Sequence, residues 1–138
     1  MGAEGVLIDT GPLVALLNRS DQWHEWAQDR AMRFDAPVLS CEAVLSEAHF
    51  LLQRVPNGSH RLNQLVDSGR IEFPFSYGEE VGRVNELIET YDEVPMSFSD
   101  ACLVRMSEVH SGSVVCTLDD DFSIYRQFGQ EPIPLIAP

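Results

Sequence analysis

Lysine is absent from this 138-residue chain; nine arginines face 22 aspartates and glutamates, for a net charge of −13. That balance excludes binding to a polyanion by bulk charge alone. It fits a metal-binding cleft, a basic protein partner or an acid-rich proteome. Long apolar runs are missing too. None approaches the roughly 18 residues of a membrane-spanning helix, and the opening MGAEG is no signal peptide. Cysteine is scarce: Cys41, Cys102 and Cys116 stand far apart in apolar surroundings, without metal-type pairing. They read as buried thiols in a reducing cytoplasm. Repeats, low-complexity segments and linkers are absent, so residues 1–138 read as a single domain long enough to bury a core without staples.

What is present is an alternation of short apolar runs and helical patterns. GVLID (5–9), APVLS (36–40), RIEFPF (70–75), SVVCT (113–117) and IPLI (133–136) read as strands. Pro74 places the third at an end or an edge. Between them, Pro12 suits a first helical position, Asp21 can cap a second helix, and a third runs from about Cys41 to Arg54. Ser59 opens a fourth that Gly69 ends, Ser76 with Glu79 forms a capping box for the fifth, and Ser97 starts a sixth. The pattern predicts an α/β fold with a mainly parallel sheet of about five strands.

In such sheets functional groups gather beyond the carboxyl ends of the strands, where the strand order reverses. That rule singles out Asp9, which ends the first strand, and Asp119 to Asp121 in TLDDDF, which follow the fourth. Three consecutive carboxylates at a strand end repel one another unless solvent or a cation relieves them. Asp9 alone reads equally as a polar residue opening a turn. On the third helix, Val44, Ala48, Leu51, Leu52 and Val55 share one arc, and Glu47 lies about 40° from Leu51 at its margin. Glu42 points to the far side and reads as solvated. A carboxylate at a core edge is costly unless paired or metal-bound, although one that reaches outward escapes the cost. Asp100 has a plain reading as half of a Ser97-x-x-Asp100 capping box. The helix behind it is apolar on nearly every side, however, so its positive N-terminal pole should lie deep and favour an anion.

Taken together, LIDTGPLVALLNRSDQWHEWA, LSEAHFLL, SFSDACLVRM and VVCTLDDDF resemble, in that order, the motifs of PIN-domain nucleases. The first is most similar to VapC-type toxins and their stand-alone bacterial relatives, and the match runs from Val6 to Ile136. The resemblance implies a three-layer α/β/α domain in which acidic residues hold one or two Mg²⁺ or Mn²⁺ ions for RNA cleavage. By motif it assigns Asp9, Glu47, Asp100 and Asp119 as catalytic and metal-binding acids. Asp121 becomes an auxiliary metal ligand, Thr117 the polar residue beside them, and Asp120 solvent-facing. The implied protein is a cytoplasmic endoribonuclease, the toxin of a toxin–antitoxin pair, with an RNA substrate, a basic antitoxin as partner and a homodimeric state. The alternative within the same fold is a catalytically silent PIN-like module that only binds RNA or protein.

Oxygen-only ligands suit Mg²⁺ or Mn²⁺, and no serine or histidine nucleophile is needed. His24, His49, His60 and His110 are scattered and read as surface or packing residues; Trp23 and Trp26 read as core or interface. Three rivals fail on named residues. A receiver domain needs a lysine. A haloacid-dehalogenase-type phosphatase needs an aspartate where Gly11 stands. A calcium loop begun at Asp119 would need glycine at Ile124 and glutamate at Gln130. Arg19, Arg33, Arg105 and Arg126 are the candidates for phosphate contact, each with a plain reading as a solvated or salt-bridging residue.

Overall fold

The computed structural model describes residues 5–138. Its strands are β1 (Val6–Ile8), β2 (Val38–Leu39), β3 (Ile71–Glu72), β4 (Val114–Cys116), β5 (Arg126–Gln127), β6 (Glu131–Pro132) and β7 (Leu135–Ile136). The helices are α1 (Thr10–Leu17), α2 (His24–Arg33), α3 (Glu42–Leu51), α4 (Gly58–Asp67), α5 (Tyr77–Thr90) and α6 (Phe98–Val109). Five strands form a parallel sheet in the order β3-β2-β1-β4-β7. These are the five expected from sequence, and β3 with Pro74 just beyond it lies at the edge. The small antiparallel β5–β6 pair was not expected.

The chain crosses from β1 to β2 to β3 in one direction, then returns to pair β4 with the other side of β1. Helix α1 packs against α2, α3 and α4, and α5 against α6, the grouping expected when right-handed crossovers run first one way and then the other along the sheet. The reversal falls between β1 and β4, in register from Val6 opposite Val114 to Ile8 opposite Cys116. The sheet is covered on both faces, so its strands are short apolar runs rather than alternating ones; Leu7 and Val115 are wholly buried. Helix α6 is the deepest helix, with Ala101, Leu103, Val104 and Met106 at 0% exposure. The three cysteines are buried free thiols.

Several local expectations shift by a turn. Asp9 caps α1, so Pro12 is its third residue rather than its first, still within the turn where a missing N–H costs nothing. Asp21 accepts the Trp23 amide at 2.8 Å and so caps the turn before α2, not the helix itself. Ser76 stands at the N-cap of α5 but makes no side-chain cap bond, so the capping box with Glu79 does not form. Helix α3 ends at Leu51, and α4 begins at Gly58 after Asn57 adopts a left-handed conformation with φ 58°. Leu51 leaves the buried arc of α3 and is half exposed, while Val44, Ala48 and Leu52 stay buried. Trp23 is exposed at the start of α2, and Trp26 lies under the Arg30 guanidinium.

One buried ion cluster fastens the segment after β4 to the helices. The Glu108 carboxylate receives Arg83 Nε and Nη2 at 3.0 and 2.7 Å, Arg105 Nη1 at 3.2 Å and the Phe128 amide at 2.6 Å. Burial pushes that carboxyl up, but the Arg83 bonds, the Phe128 amide and Arg105 outweigh it and hold the group below its ordinary range. No helix among the described residues is long and apolar enough to cross a membrane.

Candidate active site

Asp9, Glu47, Asp100, Asp119, Asp120 and Asp121 line one cleft of about 650 Å³ beyond the carboxyl ends of β1 and β4. Topology delivers each of them. Asp9 leaves β1 and caps α1, its backbone amide still bonded to Cys116 O at 3.0 Å, so it sits against the end of β4. Thr117 leaves β4 alongside and donates Oγ1 to Asp9 Oδ2 at 2.7 Å. Asp9 Oδ1 accepts the Thr10 amide at 2.8 Å. The same Thr117 oxygen accepts the Asp119 amide at 2.9 Å, and Asp119 Oδ1 in turn accepts the Asp121 amide at 2.9 Å. These links make a short rigid chain of side-chain and backbone groups from the first acid to the TLDDDF acids. Gly11, in the first turn of α1, packs closely on Leu118: a Cβ there would meet the Leu118 side chain at 3.2 Å, a tight contact.

Glu47 arrives from α3 on the opposite wall. Its Oε2 accepts Thr10 Oγ1 at 3.2 Å and Ser99 Oγ at 3.1 Å, which aims an otherwise exposed carboxylate into the cleft. Glu42 is exposed and lines no part of the cleft, as helical phase requires. Asp100 stands in the first turn of α6. Its amide is capped by Ser97 Oγ at 3.1 Å, and its Oδ2 accepts the phenol of Tyr125 at 2.8 Å. Asp120 is exposed but also lines the cleft rim. The serine and threonine partners Thr10 and Ser99, and Tyr125, were not anticipated from sequence. Phe122 and Tyr125, one turn apart immediately after the acids, were the available signal that this segment turns back into the core.

The electrostatics follow from burial. Asp9, 6% exposed, is pushed up to about 7 by desolvation, partly offset by the Thr117 and Thr10 bonds and reinforced by Asp100 and Asp119. Burial also raises Asp100, against the Tyr125 bond and with repulsion from Asp119 and Glu47. No arginine lines the cleft to relieve this charge. Every donor offered is an oxygen, which suits hard divalent cations. Among the described residues, no three acidic, histidine or cysteine side chains close on one point as a full cage.

The arginines are mostly committed elsewhere. Arg33 pairs with Asp29, Arg105 with Glu80 and Glu108, and Arg126 spends its guanidinium on the carbonyls of Ser123, Ile124 and Tyr125. Arg19 has no carboxylate partner among the described residues; with Arg61 it lines a separate cleft of about 490 Å³ next to Val55 and Asn57. His24 bonds Ala15 O and His49 bonds Ser59 Oγ, so both act in packing.

The chain belongs to the PIN domain family, which matches residues 6–127. Among solved structures it is similar to VapC20 of Mycobacterium tuberculosis, a toxin that cleaves the sarcin-ricin loop, with a TM-score of 0.71. That likeness has 22% identity, covers 87% of this chain and 94% of the other, and is one of fold. No curated protein matches the chain.

Proposed function

We propose that this chain is a divalent-metal-dependent endoribonuclease of the VapC type, working as one domain over residues 1–138 and acting as the toxin of a toxin–antitoxin pair. The observation that carries the reading is the meeting of Asp9, Glu47, Asp100 and Asp119 in one cleft without a counter-cation from the protein. Asp9, Glu47, Asp100 and Asp119 are the acids assigned to catalysis and metal binding, with Asp121 as an auxiliary ligand. Mg²⁺ or Mn²⁺ bound there would neutralise the acids and supply the Lewis acidity that phosphodiester hydrolysis needs. The chain's own share is positioning. Thr117 and Thr10 fix Asp9, Thr10 and Ser99 fix Glu47, and the Thr117–Asp119–Asp121 links hold the β4 side of the cleft.

At −13 net charge, RNA has to be held by local features. Arg19 and Arg61 are the arginines we assign to RNA phosphates, because they line one cleft together and neither has a carboxylate partner among the described residues. The same acidity suits a basic antitoxin, and the sarcin-ricin loop cleaved by VapC20 makes structured ribosomal RNA the first substrate to try. A cytoplasmic homodimer completes the proposal. The test is cleavage of structured and single-stranded RNA by purified protein. Activity should require Mg²⁺ or Mn²⁺, stop with EDTA and disappear in Asp9→Asn with Asp100→Asn. RNA binding without cleavage at any metal concentration would leave the silent binding module instead.

A further inference from the structure

The phenol of Tyr125 is wholly buried and has one use. It donates to Asp100 Oδ2 at 2.8 Å, across 25 positions of sequence. A buried tyrosine hydroxyl must find a partner, and phenylalanine would fill the same space without that requirement. The ring is fixed before the bond forms. It meets Tyr91 edge-on at 5.0 Å and Phe122 at 5.2 Å, with interplanar angles of 69° and 81°. The backbone around it is held as well: Tyr125 N donates to Asp121 O at 3.2 Å, and Arg126 N donates to the Tyr91 hydroxyl at 2.9 Å. The segment that carries Asp119 and Asp121 into the cleft therefore also delivers a rigid donor to the acid on α6.

We propose that Tyr125 is a positioning residue for Asp100. Its hydroxyl occupies one carboxylate oxygen and fixes the plane of the group, so that the other oxygen faces the cleft. The inference rests on the metal-dependent ribonuclease reading above and adds a residue to it. A carboxylate at the N-terminus of a buried helix, 7% exposed, could otherwise turn about its terminal torsion, which is broad and soft. Partners that orient a ligand without touching the ion commonly account for 10–100-fold in metal affinity or activity.

The experiment compares Tyr125→Phe and Tyr91→Phe with wild type by calorimetric titration of Mn²⁺ into folded protein, and by cleavage at limiting and saturating Mn²⁺. Tyr125→Phe keeps the ring packing and loses only the donor. It should bind Mn²⁺ about 10–100-fold more weakly. Its cleavage should fall at limiting Mn²⁺ and recover as Mn²⁺ is raised, with the KM for RNA unchanged. Tyr91→Phe keeps its ring and the Asp100 bond but removes the hydroxyl that holds the Arg126 amide beside Tyr125, so its Mn²⁺ affinity should fall by clearly less than that of Tyr125→Phe. Equal Mn²⁺ affinity in Tyr125→Phe and wild type would overturn the inference while leaving the ribonuclease reading intact. Equal weakening in both variants would move the cause from the hydroxyl to the segment, and overturn it too. A Tyr125→Phe protein that no longer melts cooperatively would make the hydroxyl a determinant of the fold instead, and overturn the inference. A wild type that binds no Mn²⁺ would bring down the ribonuclease reading together with this inference.

Discussion

Thr117 and Asp9 lie 108 positions apart in the chain, and their side chains meet at 2.7 Å across the ends of β4 and β1. The same threonine oxygen accepts the Asp119 amide, so one hydroxyl ties the first acid to the fourth. Thr117→Val keeps the volume and removes both bonds. Cleavage should drop by 10–100-fold, the range for a lost orienting partner. Thr117→Ser should retain most of the rate, because the hydroxyl is the group in use. A valine variant as active as wild type would show that Asp9 needs no such support.

Asp119 and Asp120 are neighbours with different work. Both are exposed, but Asp119 Oδ1 accepts the Asp121 amide and the Asp119 amide is tied to Thr117, whereas no hydrogen bond among the described residues holds the Asp120 side chain. Asp119→Asn should lose at least on the order of a hundredfold in rate, since the residue is assigned as a ligand and even the partners that orient ligands account for 10–100-fold. Asp120→Asn should stay within a few-fold. Comparable losses in single-turnover cleavage would mean that the acid assigned as fourth is the wrong one.

Glu47 and Glu42 separate by helical phase. Glu47→Gln preserves an acceptor for Thr10 and Ser99 but removes the charge, so melting should hardly change while Mn²⁺ response and cleavage fall at least about tenfold. Glu42→Gln should change neither. If the two exchanged behaviour, the register of α3 around the site would be in error.

The legible part of this site was what depends on local periodicity. Asp9 and Asp119 follow from strands that end at them, and Glu47 from a 100° step along one helix. The supports were illegible because they are long-range. Thr10 finds Glu47 37 positions away, Ser99 finds it 52 away, and Tyr125 finds Asp100 25 away. Nothing in a short window marks a serine or tyrosine as the partner of an acid elsewhere in the chain. The unexpected β5–β6 pair has the same origin. Its turn is held by the Phe128 amide on Glu108, which lies 20 positions away on α6. Capping failed at Ser76 for a related reason: an exposed helix start can leave its amides to water, so the motif had no need to close.

Arg19 is the arginine whose removal should report on RNA without disturbing the acids. Arg19→Gln should raise the KM severalfold and leave kcat unchanged. The slope of log affinity against log salt should shrink by about one for the lost phosphate contact. Arg33→Gln, whose partner Asp29 is one turn away on α2, should leave both unchanged. An identical salt slope in Arg19→Gln and wild type would remove Arg19 from the interface.

The raised carboxyl of Asp9 makes a definite statement about metal-free stability. Its folded value is about 7, against an ordinary value of 3.8, chiefly because burial disfavours the charge. The folded state therefore binds more protons than the unfolded state between those values, and stability falls as pH rises through that window. Asp100 is shifted in the same direction. Glu108 is shifted the other way, and its contribution is lost on acidification below its ordinary value of 4.5, so a scan from about pH 5 upward isolates the site. Between pH 5 and pH 7 the Asp9 contribution amounts to at most roughly 3 kcal/mol, at 1.36 kcal/mol per pKa unit. In EDTA, the melting temperature of wild type should decline by several degrees from pH 5 to pH 7 and then level off. Asp9→Asn, whose amide oxygen still accepts one of the native bonds, should flatten the decline. Mg²⁺ should flatten it as well, because the ion stabilises the charged form and competes with the proton, and its affinity should accordingly rise with pH up to about 7. The measurement is differential scanning calorimetry of both proteins across this range, with and without Mg²⁺. A wild type whose metal-free melting temperature is constant from pH 5 to pH 7, or falls equally in Asp9→Asn, would show that Asp9 carries its charge in the folded protein without strain.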